Sequence, residues 1–133
     1  MKKIMLDTGA YAQYLNGDEK VLNAIVRADA VYLSVFVLGE LYGGFKSGTK
    51  EVKNRELLER FLQKPTVGVL QATTETAEIY SEIISILKTS GAALPANAIW
   101  IAAQALETGS LLVTGDVRYR HVPGLRLWDQ AGF

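Results

Sequence analysis

The stretch Ile4-Met5-Leu6-Asp7-Thr8-Gly9 sets the pattern for the whole chain. Three apolar residues in a row predict a short buried strand. Asp7 and Thr8 follow directly, and both residue types favour the N-terminal cap of a helix. The stretch therefore predicts a strand that ends where a helix begins, and we expect that helix to run from Ala10 to Leu15.

The same strand-then-helix unit recurs along the chain. Short apolar runs predict further strands at Val31–Ser34, Val67–Leu70 and Leu111–Thr114, with Leu125–Leu127 as a candidate fifth strand. Apolar residues at helical spacing predict helices at Glu19–Arg27, from Val35 to about Phe45, at Lys50–Gln63, before Ser90-Gly91, and at Ala98–Leu106. Strands that alternate with helices pair in parallel through right-handed crossovers. The predicted fold class is α/β: a single three-layer α/β/α domain over residues 1–133, with a central, mostly parallel sheet of four to five strands.

The composition excludes several kinds of protein. The chain has 133 residues and no cysteine, which excludes disulfides and thiolate metal sites and agrees with a reducing cytoplasm. Lys plus Arg and Asp plus Glu number 14 each, so no global positive field attracts a polyanion. No segment approaches the roughly 20 apolar residues of a membrane span, and the apolar run after Lys2-Lys3 is too short for a signal peptide. We expect a cytoplasmic protein with no membrane partner, in which any metal is held mainly by oxygen ligands.

Three acidic residues lie near the ends of predicted strands. Asp7 ends the first strand, Asp116 follows the fourth, and Glu40 lies in the helix after the second. Ligands of open parallel sheets bind beyond the carboxyl ends of the strands, so these carboxylates can converge there. Carboxylates that converge repel one another unless a cation lies between them, and Mg²⁺ and Mn²⁺ prefer such oxygen ligands. The pattern favours metal-dependent hydrolysis of phosphate esters. Each residue also has a structural interpretation: a helix cap for Asp7, a solvated helix face for Glu40 and a turn for Asp116.

Five segments together resemble PIN domains, and among them the VapC toxins. Residues 5–11, MLDTGAY, resemble the opening LDTN of that family, with Gly9 in place of Asn. Residues 34–44, SVFVLGELYGG, are similar to its S-x-x-x-x-G-E-L-x-x-G segment, and residues 95–103, PANAIWIAA, to P-x-N-D-x-W-I-A-A. Residues 111–116, LLVTGD, and 121–125, HVPGL, match its final acid and the loop beyond. The likeness covers nearly the whole chain in the family's order.

The resemblance implies an activity, a site and partners. It assigns the metal-binding and catalytic roles to Asp7, Glu40 and Asp116, with Thr114 and Asn97 as supporting residues. The implied activity is Mg²⁺- or Mn²⁺-dependent endonucleolytic cleavage of RNA, with tRNA or ribosomal RNA as common substrates. The toxin members pair with an antitoxin of the VapB type in a type II toxin–antitoxin system, and they commonly form homodimers.

The main departure from the family pattern is Ala98, where the family has an aspartate as its third acid. A methyl group coordinates no metal, so we expect weak metal binding and poor RNA cleavage from this chain. Three interpretations are open: a deliberate substitution that allows a toxic enzyme to be produced, a natural protein of weakened activity, or a descendant that only binds. The unchanged flanks, Asn97 and Ile99-Trp100-Ile101, favour a single recent change.

The remaining hypotheses concern binding surfaces and rival functions. Arg118 and Arg120 follow Asp116 and are predicted to bind RNA phosphate, while Tyr119 is a candidate for stacking on an unpaired base. The aromatic side chains Tyr11, Tyr14, Tyr42 and Phe45 form either an antitoxin groove or part of the core. The chief alternative function is a non-catalytic module that keeps the fold and binds an antitoxin. A different metal-dependent phosphoesterase, such as a phosphatase, is a second alternative, but the chain has no P-loop or nucleophile motif.

Overall fold

The fold is an α/β arrangement of four strands and six helices, seen in a computed structural model that describes residues 1–128. The strands are β1 (Lys3–Leu6), β2 (Ala30–Ser34), β3 (Val67–Leu70) and β4 (Leu111–Val113). The helices are α1 (Thr8–Leu15), α2 (Glu19–Arg27), α3 (Val35–Ser47), α4 (Glu51–Leu62), α5 (Thr74–Ser90) and α6 (Ala96–Thr108), followed by a 3₁₀ helix at Val117–His121. Within this part of the chain, no helix combines the length and apolar character needed to cross a membrane.

The sheet is parallel throughout, in the order β3-β2-β1-β4. β1 lies between β2 and β4, and its last residue, Leu6, is level with Leu33 of β2 and Val113 of β4. The carboxyl ends of these three strands therefore lie side by side, and the residues that follow them are neighbours in space. Burial on both faces explains why β1 and β4 consist of apolar runs instead of an alternating pattern.

The predicted strand-helix alternation is confirmed, and the helix caps explain why it could be predicted. Asp7 caps α1 by accepting the Ala10 amide at 2.8 Å, and Ser34 caps α3 by accepting the Phe36 amide at 3.0 Å. β1 and β2 are therefore each followed at once by a helix whose N-cap is the residue at the end of the strand. This places Asp7 and Ser34 at fixed positions on the sheet edge.

The candidate fifth strand at Leu125–Leu127 does not form a ladder. Leu127 makes only an isolated parallel bridge with Leu112, through Trp128 N to Leu112 O at 2.8 Å and Leu112 N to Arg126 O at 2.9 Å. The chain enters this segment through Gly124, whose φ of +78° places it in a left-handed turn. The segment thus meets β4 for too short a distance to form a strand, and the described sheet has four strands.

Two of the four aromatic side chains that were candidates for an antitoxin groove are buried in the core instead. Tyr11 and Phe45 are buried, while Tyr14 and Tyr42 are partly buried against the same core. The rings of Tyr11 and Tyr14 lie 5.3 Å and 5.0 Å from the ring of Phe61 in α4. The cluster of Tyr11, Tyr14 and Phe61 joins α1 to α4. Because Tyr11 and Phe45 are buried, the groove hypothesis is wrong for these two residues.

Candidate active site

Asp7 directly follows β1 and lies between the carboxyl ends of β2 and β4, the two neighbours of β1. Its backbone amide donates to the Val113 carbonyl at 3.2 Å, and its Oδ1 accepts the Ala10 amide. Its Oδ2 accepts a short hydrogen bond from the Thr114 hydroxyl. The carboxylate is thus held by two groups, one in the first turn of α1 and one in the residue that follows β4.

Burial is the main cause that raises the pKa of the Asp7 carboxyl above its ordinary value. The hydrogen bonds from Thr114 and Ala10 oppose this shift, whereas the negative charges of Asp116 and Glu40 add to it. The negative charges of Asp116 and Glu40 are therefore close enough to disfavour ionisation of Asp7, which is a situation that a bound cation relieves.

Asp116 is engaged by an arginine two residues further on. Arg118 Nε donates to Oδ1 at 3.0 Å and to Oδ2 at 3.2 Å, and Arg118 Nη2 donates to Oδ2 at 2.7 Å. The Arg118 amide also donates to Oδ1 at 3.0 Å, which caps the 3₁₀ helix. This pairing lowers the pKa of the Asp116 carboxyl and keeps it ionised. Its backbone amide donates to the Thr114 hydroxyl oxygen at 3.0 Å, so one hydroxyl contacts both Asp7 and Asp116.

Glu40 approaches the same place from α3. Its side chain is mostly exposed, and its Oε1 accepts the Thr8 hydroxyl at 2.7 Å. Thr8 is the first residue of α1, directly after Asp7. The predicted convergence of Glu40 with the other two acids fits this contact better than a purely solvated helix face does.

One small cavity of about 150 Å³ brings together Asp7, Glu40, Asp116, Asn97 and Arg118 of the predicted site, whereas Thr114 and Arg120 line a neighbouring cavity. Ala98 lies on its wall with a side chain that is only 8% exposed, in the first turn of α6. Gly9 is also on the wall, and a β-carbon there would lie 3.7 Å from Asp7 Oδ1, an ordinary contact that permits a side chain. The full lining is Asp7, Thr8, Gly9, Glu40, Pro95, Asn97, Ala98, Ile101, Asp116, Arg118 and Tyr119.

The donors in this cavity are of the kind that a hard divalent cation prefers, but they do not form a closed ligand set. Among residues 1–128, no group of three or more His, Cys, Asp or Glu side chains is arranged to hold a metal ion. The carboxylates have other partners instead: Arg118 donates to both oxygens of Asp116, and the Thr8 hydroxyl donates to Glu40. Ala98 supplies no oxygen at the point where the wall faces the carboxylates. The expected convergence is therefore present as a shared cavity, not as a ready-made metal site.

The residues around the 3₁₀ helix differ in their surroundings. Tyr119 is only 3% exposed and lines the cavity, so the hypothesis that it stacks on a base is wrong. Burial, together with the charges of Asp7, Asp116 and Glu40, raises the pKa of its phenol. Arg120 is exposed and faces a neighbouring cavity of about 440 Å³ beside Trp128. Two contacts of the site were not predicted from the sequence, the Arg118–Asp116 pair and the Thr8–Glu40 hydrogen bond. For the Arg118–Asp116 pair, the only indication in the sequence was the D-x-R spacing.

Replacing Thr114 by valine should lower the free energy of unfolding at neutral pH by about 1.5–3 kcal/mol, the usual contribution of a hydrogen bond to a charged group. The pKa of Asp7 is already raised above 3.8, so ionisation of this group costs stability as the pH rises through and above that value. Without the hydroxyl the pKa rises further and that cost grows.

Urea unfolding at neutral pH and near pH 3 measures this effect. The deficit of the valine variant should shrink at the lower pH, where Asp7 is protonated in both folded and unfolded chains. Thr114→Ser keeps the hydroxyl and serves as the matched control. A deficit that is the same at both pH values would show that the methyl packing, not the carboxylate contact, matters.

Comparisons with known proteins agree with this arrangement. A family model described as the PIN domain matches residues 4–125. Ribonuclease VapC2 of Rickettsia felis is 25% identical over 112 residues, which are 82% of this chain and 82% of that protein. The structure of DNA-bound VapBC from Salmonella typhimurium matches with a TM-score of 0.86 at 25% identity, over 98% of this chain and 99% of that one. VapBC2 from Rickettsia felis, bound to a promoter DNA fragment, has the same fold, with a TM-score of 0.85 at 23% identity over 95% and 97% of the two chains. With its strand order, its acidic strand ends and this match over nearly its full length, the chain belongs to the PIN domain family.

Proposed function

We propose that the chain is a Mg²⁺- or Mn²⁺-dependent endoribonuclease toxin of the VapC type, with activity impaired by Ala98. The observation that carries this proposal is that Asp7, Glu40 and Asp116, distant in sequence, line one small cavity beyond the sheet edge. The similarity to a protein named as a ribonuclease supports the choice of RNA as substrate. A tRNA or ribosomal RNA is the proposed substrate class.

In this proposal some side chains of the site bind a cation and others bind RNA. Asp7, Asp116 and Glu40 are the residues that would hold Mg²⁺ or Mn²⁺, which would supply positive charge beside the phosphodiester that is cut. The Thr114 hydroxyl orients Asp7 by donating to its carboxylate, and the same hydroxyl oxygen accepts the Asp116 backbone amide. Asn97 lies on the cavity wall as a supporting polar group. Arg118 and Arg120 are the proposed ligands of RNA phosphate, where a guanidinium can donate two hydrogen bonds at once.

An antitoxin is the proposed protein partner. The similar structures from Salmonella typhimurium and Rickettsia felis are VapBC assemblies, which supports an antitoxin of the VapB type for this chain. A homodimer and a cytoplasmic location complete the proposal. Co-expression with a candidate antitoxin of the VapB type, followed by size-exclusion chromatography with light scattering, tests both the partner and the dimer.

A non-catalytic PIN module that binds an antitoxin is the second candidate function. Two observations favour it: the described carboxylates form no three-ligand set, and Ala98 lines the cavity at the position where the family has a further acid. Such a module would bind an antitoxin but would cleave no RNA, even with an aspartate at position 98.

Incubation of the purified chain with RNA at high protein concentration tests the nuclease proposal. We expect slow internal cleavage that requires Mn²⁺ or Mg²⁺, stops with EDTA and falls to background in Asp7→Asn. Asparagine can still cap α1, so this control keeps the helix start while it removes the charge. Cleavage that persists in EDTA, or that is equal in Asp7→Asn, would contradict the proposal.

A further inference from the structure

Arg118 holds Asp116, one of the carboxylates that line the cavity. Its guanidinium forms a forked contact with Asp116, with both carboxylate oxygens as acceptors. The Arg118 side chain is 53% exposed and that of Asp116 29% exposed. Pairs as exposed as this contribute little to stability, so the contact can be broken at small cost.

The position of Arg118 makes it a competitor for any cation at this site. Arg118 and the three carboxylates line the same cavity of about 150 Å³. A divalent cation needs an Asp116 oxygen that the guanidinium now occupies, and two positive groups in so small a space repel each other. Asp116 can therefore serve the guanidinium or a cation, but not both at full strength.

We propose that Arg118 is a displaceable internal cation, bound to Asp116 until RNA phosphate draws it away and leaves the carboxylate free for Mg²⁺ or Mn²⁺. This inference rests on the proposed function. The forked N–H donors that now engage a carboxylate match a phosphate equally well. Arg118 thus has two alternative acceptors, and its choice between them links RNA binding to metal binding.

This linkage is reciprocal. When a first ligand raises the affinity of the protein for a second ligand, the second raises the affinity for the first by the same factor. RNA should raise the affinity for the cation, and the cation should raise the affinity for RNA. A chain without RNA would hold the cation weakly. Unproductive metal binding is therefore limited by a side chain of the protein itself.

Mn²⁺ titration of the full chain and of two glutamine variants tests the competition. Arg118→Gln should bind Mn²⁺ about three- to tenfold more tightly than the parent chain, because the competing charge and its hydrogen bonds are gone. Arg120→Gln removes an equal charge from the same 3₁₀ helix at a side chain that faces the neighbouring cavity, and it should change the affinity by less than about twofold. Free Mn²⁺ measured by electron paramagnetic resonance gives the affinities. Equal gains in the two variants would overturn the proposal, since general charge removal would then explain them.

The coupling itself has a separate readout. In the parent chain, a short 2′-O-methyl RNA should tighten Mn²⁺ binding severalfold, and in Arg118→Gln this effect should be lost. In a Mg²⁺ titration, the Arg118 Nε–H resonance should also move towards that of a solvated arginine. A resonance that stays in place while Mg²⁺ saturates the site would overturn the proposal.

The same titrations in the Ala98→Asp background separate this inference from the proposed function. If no chain binds Mn²⁺, including Ala98→Asp, the metal-dependent nuclease proposal fails and the competition fails with it. If Ala98→Asp binds Mn²⁺ but Arg118→Gln gains no more than Arg120→Gln, only the role of Arg118 is wrong.

Discussion

Replacement of Ala98 by aspartate should raise metal-dependent RNA cleavage by at least about 10- to 100-fold, since changes in residues that merely support a metal ligand already have effects of this size. The position suits an acid on two counts. Ala98 lies on the wall of the cavity that Asp7, Glu40 and Asp116 share. It also lies in the first turn of α6, where the unpaired amides of a helix N-terminus favour a negative charge.

The control for this prediction is Ala98→Asn, which has nearly the same size but no charge. It should bind Mn²⁺ much more weakly than Ala98→Asp and cleave RNA little better than the parent chain. Ala98→Asp should also be the less stable of the two without metal, because a further carboxylate adds repulsion, and should gain more in melting temperature from Mg²⁺. Equal cleavage by the parent, the asparagine variant and the aspartate variant would contradict this prediction, and no cleavage by any of the three would favour the non-catalytic module.

The second large effect concerns stability, where Phe61→Ala should reduce the free energy of unfolding by about 3–5 kcal/mol. The Phe61 side chain is 2% exposed and lies between helices. Its ring contacts that of Tyr11 edge-on, with the planes at 68°, and the ring of Tyr14 at 5.0 Å. Loss of this ring leaves a cavity between α4 and α1, and α1 is the helix whose first turn Asp7 caps.

Leu62→Ala is the matched control, because Leu62 is the next residue of α4 but is only partly buried. It should cost roughly 1 kcal/mol, in proportion to the smaller apolar area that it buries. Urea denaturation followed by circular dichroism compares the two. Similar losses in both variants would mean that the aromatic cluster is not the contact that joins α1 to α4.

Much of the fold could be predicted because local and long-range signals coincide in this chain. The apolar run at Ile4–Leu6 is buried in the sheet, and Asp7 both ends the strand and caps the next helix. α2 has the predicted bounds, Glu19–Arg27, because its charged and apolar residues alternate with helical spacing. In such segments the hydrophobic period is sufficient for a prediction.

The parts that could not be predicted depend on a few local contacts. No hydrophobic period in the sequence indicates the geometry of these contacts. Leu125–Leu127 has strand composition, yet the turn at Gly124 allows only one bridge. Tyr119 lies between two exposed arginines in sequence but is buried, because a 3₁₀ helix turns it towards the cavity. The pairing of Arg118 with Asp116 depends on the same turn.

The central place of β1 has a consequence for biosynthesis. During synthesis β1 is translated before β4, so the edge of β1 that pairs with β4 stays bare until Leu111–Val113 has been translated. Until then Asp7 lacks the Val113 carbonyl and the Thr114 hydroxyl that hold it. A translation product that stops before β4 therefore has the first acid of the site but lacks the carbonyl and the hydroxyl that hold it in place.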